Sequence, residues 1–335
     1  FRFVKILITG ATGLLGSTIT RQLHALGHQI TVLHRKTSDP SLLKDIAGEI
    51  SWVEGDILDI VGLEKALSEV EMVVHTAAMV SFAPRDKTQM HRVNVEGTAN
   101  LVNGCLNTGI RKLCHISSVA ALGRPQQLRK NPDEVIRIDE TQRWVDSSSN
   151  SNYAVTKYLG ELEVWRGIAE GLNAVILNPS VILGEGDWHK SSTQLFKYVY
   201  SEKPFYSEGL LNYVDVADVS EAVCRLLFSD ISGERFVVSG GTVTYKQFFY
   251  DVAAAMGKRA PKWPVNPVLA EIVWRFEAFR SLISGSTPLL TKETARAAQH
   301  HYQFVGKKLT EQTGLRYRSL DETIRRVCKS LKASV

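Results

Sequence analysis

The chain has 335 residues, of which 44% are hydrophobic and 22% charged, the balance of a soluble globular protein with enough apolar side chains for a large core. Its 40 basic and 35 acidic residues give a formal net charge of +5; the basic ones are scattered apart from Arg325-Arg326, which argues against a nucleic-acid surface and suits at most an anionic small molecule. No run of about 18 apolar residues is present, which argues against a membrane-spanning helix, and none of Cys105, Cys114, Cys224 and Cys328 lies in a CxxC pair or near a His at zinc-ligand spacing, so no metal site is expected.

In chain order, Val4 to Thr9 is an apolar strand ending in a Gly-rich turn, and Leu14 to Leu26 carries apolar residues at helical spacing until Gly27. Strands follow at Ile30 to Leu33 and Ser51 to Glu54, a helix at Ile60 to Leu67, a strand at Met72 to His75 and a helix at Val93 to Thr108, stopped by Gly109. Leu113 to Ser117 is a fifth strand, Asn131 to Asn152 a polar loop, Tyr153 to Glu170 a long helix stopped by Gly171, and Ala174 to Leu177 a sixth strand. Alternating strands and helices predict a parallel sheet with helices on both faces, and short apolar strands predict burial of both sheet faces. The fold class expected is α/β, a doubly wound Rossmann fold with a smaller, mainly helical C-terminal part. Residues 1–180 form the dinucleotide-binding domain, with 212–240 returning to it; 181–211 and 241–335 form the substrate-binding part. Gly241 to His301 reads as mainly helical, and Pro267 to Ile283 as a core-facing or lid helix whose polar face carries both signs of charge, with a membrane-surface helix the alternative. Cys105, Cys114 and Cys224 lie in apolar surroundings and are expected as buried thiols, in keeping with a reducing cytoplasm. The chain begins at Phe1 and runs straight into a strand, so no signal peptide is expected.

Thr9-Gly10-Ala11-Thr12-Gly13-Leu14-Leu15-Gly16 lies between the first strand and the first helix. Gly10 permits the tight turn, Gly13 lets the backbone approach a pyrophosphate, and Gly16 allows close helix–strand packing. The amides and dipole at the helix start then hold the anion. Where a carboxylate would hold the ribose hydroxyls of NAD, the chain reads Leu33-His34-Arg35-Lys36. Arg35 can pair with a 2′-phosphate, so NADP is the expected cofactor and NAD the alternative, in which Arg35 stacks on adenine or lies in solvent.

Tyr153 and Lys157 are four apart at the start of the long helix and share a face. A cation beside the phenol lowers its pKa from about 10, which makes Tyr153 a candidate acid for carbonyl reduction or base for alcohol oxidation. Ser117-Ser118 ends the fifth strand, on the edge where α/β folds present their sites; by itself the pair also reads as a simple turn.

Together the turn, the Ser pair and Tyr153-x-x-x-Lys157 resemble the extended branch of the short-chain dehydrogenase/reductase family, the NAD(P)-dependent epimerase/dehydratase-like proteins. The resemblance is close over about the first 240 residues and loose beyond. By it, Ser118, Tyr153 and Lys157 are the catalytic residues, and Lys157 also binds the nicotinamide ribose. It further implies cofactor contacts at Gly10, Thr12, Gly13, Leu14, Leu15, Gly16, Arg35, Asp56, Ile57, Thr76, Ala77, Ala78, Ser117, Pro179, Ser180 and Val181, and it matches Asn94 to the family's helix asparagine. Val119-Ala120 stands where dehydratases of the family carry an Asp-Glu pair, and Leu211-Asn212 where nucleotide-sugar enzymes usually show Arg-Asp. The chain is then most similar to dihydroflavonol reductases and 3β-hydroxysteroid dehydrogenases, which implies an apolar or aromatic carbonyl or alcohol substrate. Met79, Val80, Ser81 and Phe82, with Trp188 and Phe196, either wall an apolar pocket or are ordinary core. The alternatives are a nucleotide-sugar epimerase that retains NAD and a cofactor-sensing protein without turnover. The resemblance also implies a homodimer through the helices starting near Val93 and Tyr153.

Overall fold

The structure is a computed structural model, described here for residues 3–124, 134–147, 150–188, 192–265 and 302–333. In chain order come β1 (Lys5–Thr9), α1 (Leu14–Ala25), β2 (Gln29–His34), β3 (Ser51–Glu54), α2 (Ile60–Leu67), β4 (Met72–His75), α3 (Lys87–His91), α4 (Gly97–Thr108), β5 (Lys112–Ile116), β6 (Ile136–Ile138), α5 (Asn152–Ala169) and β7 (Ala174–Pro179). The chain continues through β8 (Val181–Leu183), α6 (Thr193–Tyr200), β9 (Phe205–Tyr206), β10 (Leu210–Asp215), α7 (Val216–Leu227), β11 (Glu234–Val238), β12 (Gly241–Thr244) and α8 (Tyr245–Met256).

Successive residues of the central strands enter opposite cores, which is why the strands are apolar without alternation. Ile6 and Ile8 of β1 join the core under α1 and α7, whereas Leu7 joins the core under α2, α4 and α5. Cys114 and Leu113 of β5, and Val175 and Ile176 of β7, divide in the same way. The seven-stranded sheet runs β3-β2-β1-β4-β5-β7-β11, and every pairing in it is parallel. The chain moves outward from β1 to β3, then resumes at β4 on the other side of β1. This reversal opens a crevice at the carboxyl ends of β1 and β4, the place where such sheets bind ligands.

A smaller part rests on a three-stranded sheet, β12-β10-β8, packed on α6, α8 and the helix Leu320–Ala333. The stretch 212–240 is therefore shared: α7 and β11 join the main body, while β10 pairs with β8 and β12. Arg326 ties the two parts together. Rather than being solvated like its neighbour Arg325, it donates to Asp215 at 2.7 and 2.6 Å and pairs with Glu185 at 3.0 Å. All four cysteines are free and buried.

Two sequence expectations are corrected, and a third meets the described residues only at its start. The helix expected from Val93 begins at Lys87 and passes through one π-helical turn, Arg92–Glu96, before α4. The polar segment Asn131 to Asn152 contains β6, which pairs in parallel with the strand Tyr302–Phe304. The stretch from Gly241, expected as mainly helical, opens with a strand before α8. Residues 266–301, including the helix expected over Pro267 to Ile283, lie outside the described residues. No helix among the described residues is long and apolar enough to cross a membrane.

Candidate active site

The Gly-rich turn follows β1 directly. Gly10 has φ +71°, and a Cβ there would lie 2.6 Å from the Ala77 amide nitrogen, so only glycine fits. At Gly16 a Cβ would lie 2.2 Å from the Gly10 carbonyl oxygen, which ties α1 closely to the turn. Gly13 differs: it is exposed, and a Cβ would meet nothing closer than 3.4 Å. Packing does not demand a glycine there, but its bareness leaves the start of α1 open. No side chain caps this helix, so its first amides remain available to an anion. Thr12 is half-buried, Leu15 is in the core, and Leu14 leans on Gly184 and Gly186 after β8.

The other expected cofactor residues line the same carboxyl edge. Arg35 follows β2, is exposed, and makes no ion pair among the described residues; Ser38 accepts from its backbone amide. Asp56 follows β3 and accepts from the Leu58 amide at 3.0 Å, with Ile57 buried beside it. Thr76 donates to the Thr9 carbonyl at 2.7 Å, which holds Thr76, Ala77 and Ala78 across from the turn. Pro179, the last residue of β7, is buried, Val181 is half-buried, and the buried Ser180 hydroxyl between them has no partner among the described residues. An open helix start, an unpaired arginine and an orphaned buried hydroxyl along one crevice fit a dinucleotide. Among the described residues no cluster of His, Cys, Asp or Glu is placed to hold a metal.

Ser118 stands just past β5, and its Oγ accepts from the Ala120 amide at 3.1 Å, which starts a short 3₁₀ turn. Ser151 caps α5 by accepting from Ala154, fixing the helix start that carries Tyr153. The Ser118 hydroxyl lies close enough to the Tyr153 phenol to influence its ionisation. Lys157, one turn on and buried, donates from Nζ to the Ile116 carbonyl at 2.9 Å. The structure thus brings Ser118, Tyr153 and Lys157 together at the sheet edge. Asn94, in the π-helical turn, supports them: it accepts from the Met79 amide and donates to Met79 O and Thr156 Oγ1.

The electrostatics differ from the sequence expectation. Burial is the main influence on Tyr153 and pushes the phenol above its ordinary pKa, with the Ser118 hydroxyl pulling the other way. Burial also lowers Lys157 to about 8, against an upward pull from Glu161. His75, buried and hydrogen-bonded to Thr9 and Thr98, is pushed down to about 3 by burial and by Lys157, and His115 beside it is lowered for the same reasons. Both imidazoles are neutral.

Of the aromatic residues weighed as pocket wall or core, Phe82 contacts the site: its ring lies 5.9 Å from that of Tyr153, edge to face. Phe196 is core, fully buried against Phe248. Trp188 is half-buried beside Tyr200, and its indole N–H has no partner among the described residues. Asn212 is wholly engaged, donating to Tyr302 O and accepting from Thr242 and the Phe304 amide.

Two further residues stand behind the site: Glu161, not anticipated from sequence, and Asn178, which the sequence places in the segment Asn178-Pro179-Ser180-Val181 that resembles the family's stretch beside the nicotinamide. Glu161, one turn after Lys157, is 2% exposed, and Asn178 at the end of β7 is fully buried. The helical spacing 153, 157, 161 was the available signal for Glu161.

The model of the NAD dependent epimerase/dehydratase family matches residues 6–239. The chain is 29% identical to sterol demethylase protein B of Methylococcus capsulatus, over 79% of this chain and 78% of that one. It is 25% identical to cinnamoyl-CoA reductase 1 of Petunia hybrida, over 80% of each. Among solved structures, that of gox2253 superposes with a TM-score of 0.81 at 29% identity, covering 98% of both chains.

Proposed function

The chain belongs to the NAD dependent epimerase/dehydratase family, and from that premise we propose that it is an NADP-dependent oxidoreductase that interconverts an apolar or aromatic carbonyl compound and its alcohol. The observation that carries this reading is the convergence of Ser118, at the exit of β5, and Tyr153, at the capped start of α5, beside the buried Lys157. When bound, the nicotinamide cofactor supplies or accepts the hydride. Ser118 and Tyr153 hold the substrate oxygen by hydrogen bonds. In reduction the Tyr153 phenol gives its proton to that oxygen; in oxidation it takes the proton back. Lys157, fixed by the Ile116 carbonyl, keeps a positive charge near the phenol and the cofactor ribose.

Phe82 against Tyr153 favours an apolar or aromatic group on the substrate, and the full engagement of Asn212 within the protein speaks against a diphosphate partner there. Arg35, exposed and unpaired, favours a 2′-phosphate. In this reading residues 1–180 hold the cofactor, with 212–240 contributing to the same unit, and 181–211 and 241–335 shape the substrate pocket. A homodimer through α4 and α5 is part of the same proposal, supported by the exposed Val155 and Leu162 on α5.

The test is turnover of a panel of aliphatic and aromatic aldehydes, ketones and alcohols, followed at the nicotinamide absorbance with NADPH and NADH. Turnover of apolar carbonyls with NADPH preferred is expected. A strong preference for NADH overturns the role given to Arg35, and cofactor that stays bound without net exchange while a sugar nucleotide is epimerised overturns the reductase reading.

A further inference from the structure

Tyr153, Lys157 and Glu161 are spaced four apart on α5, and Glu161 is the one of the three that the proposed reaction leaves unused. A buried carboxylate is costly unless it is paired and fully hydrogen-bonded, and here it is both. Its Oε2 accepts from Ser117 Oγ at 2.7 Å and from Asn178 Nδ2 at 2.7 Å; its Oε1 accepts from the Trp165 indole and from Arg235, each at 3.3 Å. Arg235 comes from β11 and is itself anchored on the Glu140 and Gln142 carbonyls.

These bonds converge on the strand end that carries Ser118. Lys157 holds the carbonyl of Ile116, Glu161 holds the side chain of Ser117, and Asn178 Nδ2, while bonded to Glu161, also donates to the Ser118 carbonyl at 2.9 Å. Three consecutive residues of β5 and its exit are thereby fixed to α5 and β7. We propose that Glu161 is a positioning residue of this site: its carboxylate locks the strand end bearing Ser118 against the helix bearing Tyr153 and Lys157, and it supplies the counter-charge for the Lys157 ammonium. The inference rests on the oxidoreductase reading for its catalytic half alone.

Among the described residues the charged and titratable groups around the pair are few, with Tyr153 one turn before Lys157 on the same helix. Glu161 faces Lys157 on its own helix and Arg235 from β11; Lys157 also faces His75 from β4 and His115 from β5, both neutral. Glu161 is the anion that opposes the lowering of Lys157 by burial.

The experiment follows the Nζ resonance of Lys157 by ¹⁵N NMR in the cofactor-free full chain, assigned with Lys157→Arg. For the unsubstituted protein a midpoint lowered to about 8 is expected. In Glu161→Gln the midpoint falls by at least about one pH unit, because an opposite charge is removed from a buried site. Turnover falls with it: kcat drops about tenfold or more, substrate KM changes less than about threefold, and the alkaline limb of the pH profile moves to lower pH. Glu161→Asp keeps the charge but shortens the reach, so the midpoint stays near that of the unsubstituted protein while kcat falls; this variant decides the matter where Glu161→Gln does not fold. A Lys157 titration unmoved in Glu161→Gln, or displaced in Glu161→Asp, overturns the proposal. Absence of nicotinamide-linked turnover in the unsubstituted enzyme overturns the oxidoreductase reading instead, and the titration still decides the electrostatic role of Glu161.

Discussion

Around Tyr153 two influences oppose each other. The neighbouring Ser118 hydroxyl favours the ionised form, while burial disfavours it and is the larger effect. The phenol therefore holds its proton at neutral pH, as a proton donor in carbonyl reduction must. The sign of the pH dependence follows from this. Raising the pH through the phenol's titration removes the donor form, so reduction slows, while oxidation, which needs the phenolate, speeds up. Measured as kcat in each direction from neutrality to beyond about pH 10, the fall of reduction and the rise of oxidation that belong to the phenol are expected above its ordinary titration range, apart from any limb set by Lys157 near 8. Oxidation that is fastest at the acid end contradicts the assignment of Tyr153.

At the scale of elements, the turn between β1 and α1 separates two kinds of glycine. Gly16→Ala places a methyl group 2.2 Å from a backbone oxygen, so the turn itself must move, and both thermal stability and cofactor affinity are expected to fall. Gly13→Ala meets only ordinary contact at 3.4 Å, so the protein is expected to melt as before yet bind NADPH about tenfold or more weakly, because a methyl group is added at the uncapped start of α1 where the pyrophosphate is proposed to sit. Melting curves with fluorescence titration of NADPH separate the two cases; Gly13→Ala with unchanged affinity contradicts the placement of the pyrophosphate. These glycines were legible in the sequence because strand, turn and helix were all local. So were β1, β4, β5 and β7, whose apolar runs reflect burial on both faces. β6 was not: it has three residues, with Arg137 between Ile136 and Ile138, and its partner strand begins at Tyr302. Glu161 carried the right spacing, yet a carboxylate on a helix ordinarily reads as surface. Its burial depends on Arg235 and Asn178, which sequence order does not bring near.

Across the whole molecule, the joint between the main body and the smaller part is a charged one. Asp215 is 1% exposed, caps α7 through the Ala217 amide, and receives Thr323 and Arg326 from the last helix. Arg326→Met leaves this buried carboxylate without its cation, which is expected to cost about 3 kcal/mol. A lowered melting temperature together with faster amide exchange in residues 320–333 is the expected result; unchanged exchange there contradicts a clamping role. In sequence Arg326 shows only as half of the basic pair Arg325-Arg326, because neither Asp215 nor Glu185 is near it in the chain.

The oxidoreductase account depends most on the phenol of Tyr153, and Tyr153→Phe tests it with a single oxygen removed. With the preferred carbonyl substrate and saturating NADPH, kcat is expected to fall about 10²- to 10⁴-fold while NADPH binding and melting temperature stay as they were. A variant that binds NADPH normally and reduces the substrate at a rate close to that of the unsubstituted enzyme contradicts the account.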